Sequence, residues 1–192
     1  VKSKDKFPDY PIPVLSIKKK DQQAVSEKFQ LEPSNKILAL CPGAEYGPAK
    51  QWPAEHYAEL AKQKIAQGWT VFIFGSAKDK SVSEQINQLS KNSCHDFSGK
   101  TSLAEAVDLM SLSQVVVSND SGLMHVAAAL NKKTIAIYGS SDPGFTPPLN
   151  SSAKVIYLNL ECSPCFKREC PLGHTQCLTN ISPEQVLFEI DS

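Results

Sequence analysis

The run Val115-Val116-Val117-Ser118-Asn119-Asp120-Ser121-Gly122-Leu123-Met124-His125-Val126-Ala127-Ala128-Ala129 limits the fold more tightly than any other segment. Three β-branched residues in succession favour an extended strand, where their stiff side chains cost least. The strand stops at Ser118-Asn119-Asp120-Ser121, residue types that cap helices, and small helix-forming residues follow at once. A strand that turns directly into a helix is the repeating unit of an α/β sheet, and the free amides at the helix start suit an anion. Ser121 and Gly122 let a bulky group reach the backbone, and Asp120 and His125 set directional side chains beside it. Taken alone, the same segment also reads as ordinary structure, with Asp120 as a plain N-cap and His125 as a satisfied core histidine.

The rest of the chain repeats the pattern. Strands are expected over 37–41, 70–74, weakly over 94–97, then over 115–118, 134–138 and 155–158. Helices are expected over 53–67, 79–90, from a Ser102 cap to Leu112, over 121–130, and from Ser182-Pro183-Glu184 onward. In the first of these, Tyr57, Leu60, Ala61 and Ile65 share one face, Pro53 holds a favoured first-turn position and Gly68 stops the helix. Strands alternating with helices imply parallel pairing through right-handed crossovers, hence a Rossmann-like, doubly wound α/β sheet. In the common order 3-2-1-4-5, strands one and four are neighbours where the winding reverses. The loops 42–52 and 118–122 then open into one crevice at the carboxyl ends of the strands. Residues 35–192 form this domain. Residues 1–34 read as an N-terminal arm or interdomain linker: Phe7-Pro8, Tyr10-Pro11 and Ile12-Pro13 impose extended geometry, and a short helix is expected from Asp21 to Phe29.

Bulk composition removes several classes. A chain of 192 residues is long enough for one large domain with a real core. Its 20 basic and 20 acidic residues cancel, so there is no electrostatic footprint for nucleic acid. No apolar run approaches the ~20 residues of a membrane span, and no signal peptide is visible. A start at Val1 rather than Met suggests a fragment or a processed product. Arg168 is the only arginine, so phosphate recognition would rest on lysine and backbone donors rather than on bidentate guanidinium clamps.

The loop Cys41-Pro42-Gly43-Ala44-Glu45-Tyr46-Gly47-Pro48-Ala49-Lys50-Gln51-Trp52-Pro53 is neither a GxGxxG turn nor a GxxxxGK[ST] loop, since no Ser or Thr follows Lys50. Gly43 and Gly47 would permit close backbone approach. Lys50 stands just before a helix and can balance a diphosphate as a point charge, or be a solvated surface lysine. A carboxylate and a phosphate at one helix start would repel. A consistent arrangement puts phosphate on the Ser121 and Gly122 amides and turns Asp120 toward sugar hydroxyls. His125, four residues after Ser121, shares its helical face. Gly75-Ser76 and Gly99-Lys100-Thr101-Ser102 add amides for a nucleobase or ribose, although Ser102 is well explained as a cap.

Of six cysteines, Cys41 and Cys94 lie in apolar contexts and read as buried hydrophobes. Cys162, Cys165, Cys170 and Cys177 have the spacing C-x2-C-x4-C-x6-C, with His174 among them. The first pair has metal-ligand spacing and the second half does not, so structural zinc, free thiols and disulfides all stay open, with disulfides disfavoured in a cytosolic protein.

Three ordered motifs, Pro42 to Pro53, Phe74-Gly75-Ser76-Ala77-Lys78-Asp79 and Asn119 to His125, together resemble the lipopolysaccharide heptosyltransferases of glycosyltransferase family 9. Tyr138-Gly139-Ser140-Ser141-Asp142-Pro143 and Thr146-Pro147-Pro148 continue the likeness, which runs from about residue 35 to the C-terminus. The resemblance implies a GT-B enzyme of two Rossmann-like domains, of which this chain is the C-terminal, donor-binding half. It implies inverting transfer of L-glycero-D-manno-heptose from ADP-heptose to the LPS inner core, with no required metal or other cofactor, at the cytoplasmic face of the bacterial inner membrane and with at most peripheral membrane association. Gly43, Ala44 and Lys50 would meet the donor from the first loop, with Lys50 on its phosphates. Ser76 belongs to the implied donor set, and the Thr101 region would meet the adenosine. Asp120, Ser121, Gly122, Leu123 and His125 would hold pyrophosphate and heptose. The family's catalytic base is an aspartate of the N-terminal domain, which also carries the acceptor. No equivalent segment stands in this sequence, so no catalytic residue is assigned and the chain is expected to bind donor without turning it over. Two other readings compete: a non-catalytic zinc-binding interaction module, and an epimerase-like GT-B domain.

Overall fold

The computed structural model of the protein describes residues 11–192, so Phe7-Pro8 and Tyr10 lie outside the described residues. In chain order the elements are α1 (Lys19–Lys28), β1 (Ile37–Cys41), α2 (Ala54–Ala66), β2 (Thr70–Ile73), α3 (Lys80–Leu89), β3 (His95–Asp96), α4 (Leu103–Met110), β4 (Val115–Asn119), α5 (Gly122–Ala129), β5 (Lys133–Tyr138), β6 (Lys154–Tyr157), α6 (Gln176–Thr179) and α7 (Pro183–Asp191). Short 3-10 turns at Pro48–Lys50 and Ala77–Asp79 precede α2 and α3.

All strand pairs are parallel, in the order β3-β2-β1-β4-β5-β6. The winding reverses between β1 and β4, as the alternation of elements predicts, and β6 extends the sheet beyond β5. Successive side chains of a strand point to opposite faces, and here both faces are covered. Leu38, Leu40, Val71, Ile73, Val115, Val117, Ile135 and Ile137 pack with residues of α2, α3 and α7. Ile37, Ala39, Cys41, Phe72, Phe74 and Val116 pack with residues of α1, α4 and α5. Double-sided burial explains why these strands are continuous apolar runs rather than alternating ones. Cys41 and Cys94 are buried as expected, and burial pushes both thiols above the ordinary cysteine range.

The departures from expectation have local causes. The third strand shrinks to His95–Asp96, although the Phe97 amide still donates to the Ile73 carbonyl at 2.9 Å. The helix expected from Asp79 begins at Lys80, because Ser76 and Asp79 close a 3-10 turn first. Helix α6 was not anticipated; four residues entered from left-handed Thr175 (φ 49°) are too short to show a period. Residues 19–28 lie against α4, where Gln22 donates to Ser111 and Lys28 pairs with Glu105.

Candidate functional site

Asn119, the last residue of β4, builds the crevice at the reversal point. Its Nδ2 donates to the Pro42 carbonyl at 2.7 Å, and its Oδ1 accepts from the Trp52 amide at 3.0 Å and the Tyr57 hydroxyl at 3.1 Å. One buried side chain therefore fastens both ends of the loop 42–52. Burial holds the Tyr57 hydroxyl well above the usual phenol range, so it stays protonated and donating. Trp52 closes the far end, with Nε1 on the Ile181 carbonyl at 2.9 Å and its ring edge-on to Tyr57.

Between this loop and the turns after β2, β3 and β4 lies a cleft of about 460 Å³. Gly43, Ala44, Ser76, Thr101, Ser121, Gly122 and Leu123 line it, seven of the ten residues singled out from the sequence. Lys50, Asp120 and His125 stand outside its lining.

Two of the lining residues act differently from the expectation. A Cβ on Gly43 would lie 2.5 Å from the Asp79 carboxylate, so this glycine makes room for Asp79. The Ser76 amide and hydroxyl both donate to Asp79 Oδ2, at 2.8 and 2.7 Å, so Ser76 presents a closed cap rather than an open amide. Asp79 itself lines the cleft; only its position after the Gly75-Ser76 turn pointed to it. Also in the lining, Thr101 adjoins Ser102, the expected cap, whose side chain closes a capping box with Glu105.

The start of α5 is built otherwise. The helix starts at Ser76, Ser102 and Ser182 each carry a reciprocal capping box. Ser121 is extended (φ −150°, ψ 170°) and its side chain caps nothing. A helix cannot satisfy its own first amides, and those of Gly122 and Leu123, two residues that line the cleft, have no acceptor among the described residues. Gly122 is exposed, and a Cβ there would find nothing within 4 Å.

Asp120 is not the N-cap. Its carboxylate is 5% exposed and accepts from Lys50 Nζ at 2.5 Å, Ser141 Oγ at 2.6 Å and Thr146 Oγ1 at 3.2 Å. Tyr138, whose hydroxyl donates to the Thr146 carbonyl, supports that arrangement from below. Ser141 and Thr146 had been visible only as parts of two family-like motifs; their hydroxyls were the signal. Lys50 Nζ also sits 5.0 Å from the centre of the Tyr46 ring, and the Arg168 guanidinium is 5.3 Å from the same ring. The lone arginine thus joins the Lys50 corner. His125 is exposed on α5, which removes its reading as a core histidine.

Arg168 belongs to the cysteine-bearing segment, which is laid over the loop 42–52. The Ala49 amide donates to the Arg168 carbonyl at 3.0 Å, the Tyr46 hydroxyl to the Phe166 carbonyl at 2.7 Å, and the Ser140 amide to the Ala49 carbonyl at 3.3 Å. A Cβ on Gly47 (φ +151°) would come within 2.6 Å of the Arg168 carbonyl oxygen. All six cysteines are free thiols. Backbone N–H groups, that of Thr175 foremost, hold the Cys170 thiol below the ordinary range, whereas burial and then the neighbouring cysteines push Cys177 up. Among the described residues no helix is long and apolar enough to cross a membrane.

Residues 2–176 match glycosyltransferase family 9 (heptosyltransferase). The chain is 42% identical over 184 residues to lipopolysaccharide heptosyltransferase 2 of Escherichia coli K12, covering 94% of this chain and 53% of that protein. It is 42% identical to lipooligosaccharide heptosyltransferase 2 of Haemophilus influenzae, covering 97% and 57%. The structure of E. coli ADP-heptose LPS heptosyltransferase II superposes with a TM-score of 0.81 at 41% identity, over 95% of this chain and 55% of that one. The chain spans a little over half the length of these relatives. A parallel sheet reversing at β1/β4, an uncapped α5 and this degree of likeness lead to one placement: the chain belongs to glycosyltransferase family 9, the heptosyltransferases.

Proposed function

We propose that the chain is the donor-binding half of a heptosyltransferase and seats ADP-heptose across the cleft, with the diphosphate on the α5 amides. The observation that carries this reading is the uncapped start of α5 beside a preformed Lys50–Asp120 pair. Two open amides at the positive end of a helix attract a phosphate. An ammonium has three N–H groups, and Lys50 commits one to Asp120, so others can still reach a phosphate oxygen. Asp120 cannot then meet phosphate, but its edge can accept a sugar hydroxyl. The adenosine would extend toward Thr101 and Asp79, where the cleft has room. Leu103 and Val126 add apolar surface to the cleft.

The transfer itself is proposed as inverting, onto an LPS inner-core acceptor at the cytoplasmic face of the bacterial inner membrane. Asp120 is a poor base for it, because Lys50, Ser141 and Thr146 already occupy three of the roughly four acceptor positions of its carboxylate and leave one for a sugar hydroxyl. Base and acceptor site would come from the portion of the relatives that this chain does not match, with residues 1–34 as the connection between the two domains. No cofactor is called for: lysine and helix amides supply the positive field that a divalent ion would otherwise provide. The chain alone would bind donor without turnover. Calorimetric titration with ADP, ADP-heptose and UDP tests the reading. ADP-selective binding, tighter for ADP-heptose, is expected. Equal affinity for UDP, or no binding by a folded chain, contradicts it.

A further inference from the structure

Four thiols converge from two arms of an irregular segment. Cys162 and Cys165 come from the turn after β6, Cys170 from the next bend, and Cys177 from the first turn of α6. All four line one small cavity, whose opposite wall is Ala49 and Ser140. Cys177 is anchored in the main core beside Leu178, while the other three are half-buried. His174 also lines the cavity, but its Nδ1 is occupied by the Gln176 amide at 3.0 Å. Between Leu160 and Thr175 there is no helix or strand, and internal backbone bonds are few: Ser163 to Leu160 and Gly173 to Cys170. Such a segment has little of its own to offset the entropy of ordering some sixteen residues, at about 1–2 kcal/mol each for the backbone. A cross-link at the cavity would supply what the segment lacks.

We propose that Cys162, Cys165, Cys170 and Cys177 bind one thiophilic divalent metal ion, zinc or ferrous iron, and that this ion clamps the segment onto the donor loop. Sulfur-only sets in tetrahedral array suit these ions. Each thiol surrenders its proton as the metal–sulfur bond forms, so binding releases up to four protons. Among the described residues no three cysteine, histidine, aspartate or glutamate side chains yet stand in a metal-holding arrangement. The two arms must therefore close on the ion. Closing them draws the cavity wall at Ala49 inward, one residue from Lys50, and presses the Arg168 carbonyl onto the Ala49 amide. The effect on the donor rests on the proposed function above; metal binding itself does not.

Elemental analysis of the protein as purified, without added metal, is expected to give one zinc or iron per chain. After chelation, cobalt(II) titration should saturate at one equivalent with intense sulfur-to-cobalt charge-transfer absorption. Cys165→Ser should abolish that absorption, whereas Cys94→Ser should leave it intact. The cobalt titration of the unaltered chain needs no variant to fold. Metal removal should also weaken ADP binding about tenfold. A chain free of metal, with all four thiols reacting rapidly with a thiol reagent and no cobalt absorption, overturns the proposal. So does an intact mass two daltons low per disulfide. Metal bound with ADP affinity unchanged by its removal would overturn the clamp alone, and metal bound with no ADP affinity at all would count against the donor reading.

Discussion

The two ends of the loop that follows β1 are built on opposite plans. At Gly43–Glu45 the chain is lean, lines an open cleft and carries one charged contact, the Glu45–Lys78 pair, at the solvent lip. At Tyr46–Lys50 the polar groups already have partners: Tyr46 on Phe166, Ala49 on Arg168 and Ser140, Lys50 on Asp120. The first end offers room; the second offers charge held in position before any ligand arrives. Preorganised charge costs no rearrangement at the moment of use, which is what the proposed transfer would need beside a departing diphosphate.

Cutting the fastener common to both ends should have the largest effect. Asn119→Ala strands the Pro42 carbonyl and the Trp52 amide in a buried place and leaves the Tyr57 hydroxyl only its 3.4 Å bond to the Cys41 carbonyl. Each unsatisfied buried group costs about 1–3 kcal/mol, so we expect a loss of about 3–4 kcal/mol by urea unfolding. A loss below about 1 kcal/mol would mean that the loop holds itself.

Lys50→Ala isolates the contrast at its charged end. Breaking a buried pair costs about 3–5 kcal/mol. The 17% exposure of Lys50 lets water offset part of this, which leaves about 2–3 kcal/mol by the principle that charged pairs weaken with solvation. ADP affinity should fall at least tenfold in the same protein. An unchanged melting temperature would show that the corner is not preorganised.

At the lean end, Gly43→Ala presses a methyl group into the Asp79 carboxylate. Overpacking of this kind costs about 1–3 kcal/mol, and the readout is a displaced Asp79 with weaker ADP binding but an intact Lys50–Asp120 pair. The smallest effect lies away from both ends. Hydrogen bonds from Lys28 and then the Ser102 backbone hold the Glu105 carboxyl at about 2. Its contribution is thus fully present above the unfolded value near 4.5 and is lost as pH falls through about 2. Glu105→Gln should flatten the acid limb of the stability curve in that window without moving nucleotide affinity. A change in ADP binding would tie the α1–α4 seam to the site.

Much of this arrangement could be read from residue order. Strands β1, β4 and β5 are buried on both faces, so their apolar runs announce them, and the reversal at β1/β4 follows from strand–helix alternation. That reversal is what brought seven of ten chosen residues to one cleft. Illegible were the partnerships across it. The repulsion expected between a carboxylate and a phosphate predicts an Asp120 turned from the helix amides, but nothing local shows that it reaches Lys50, 70 residues earlier. Tyr46 meets Phe166 at a separation of 120. The closed cap at Ser76 is illegible for a different reason: a capping box and an open amide turn share the same residue types, and only geometry separates them.

The claim on which the account turns is that the α5 amides hold the diphosphate, and Gly122→Pro tests it most directly. Position 122 is the first residue of α5, where proline is well tolerated. Ser121 before it is already extended, as a residue preceding proline prefers. The substitution therefore removes one N–H from the seat, and adds a ring in the open space beside it, without disturbing the helix start. Calorimetry should show ADP bound about tenfold more weakly or worse, equivalent to about 1.5–3 kcal/mol for a hydrogen bond to a charged group, by a chain with an unaltered melting temperature. Undiminished ADP affinity in that folded variant would contradict the account.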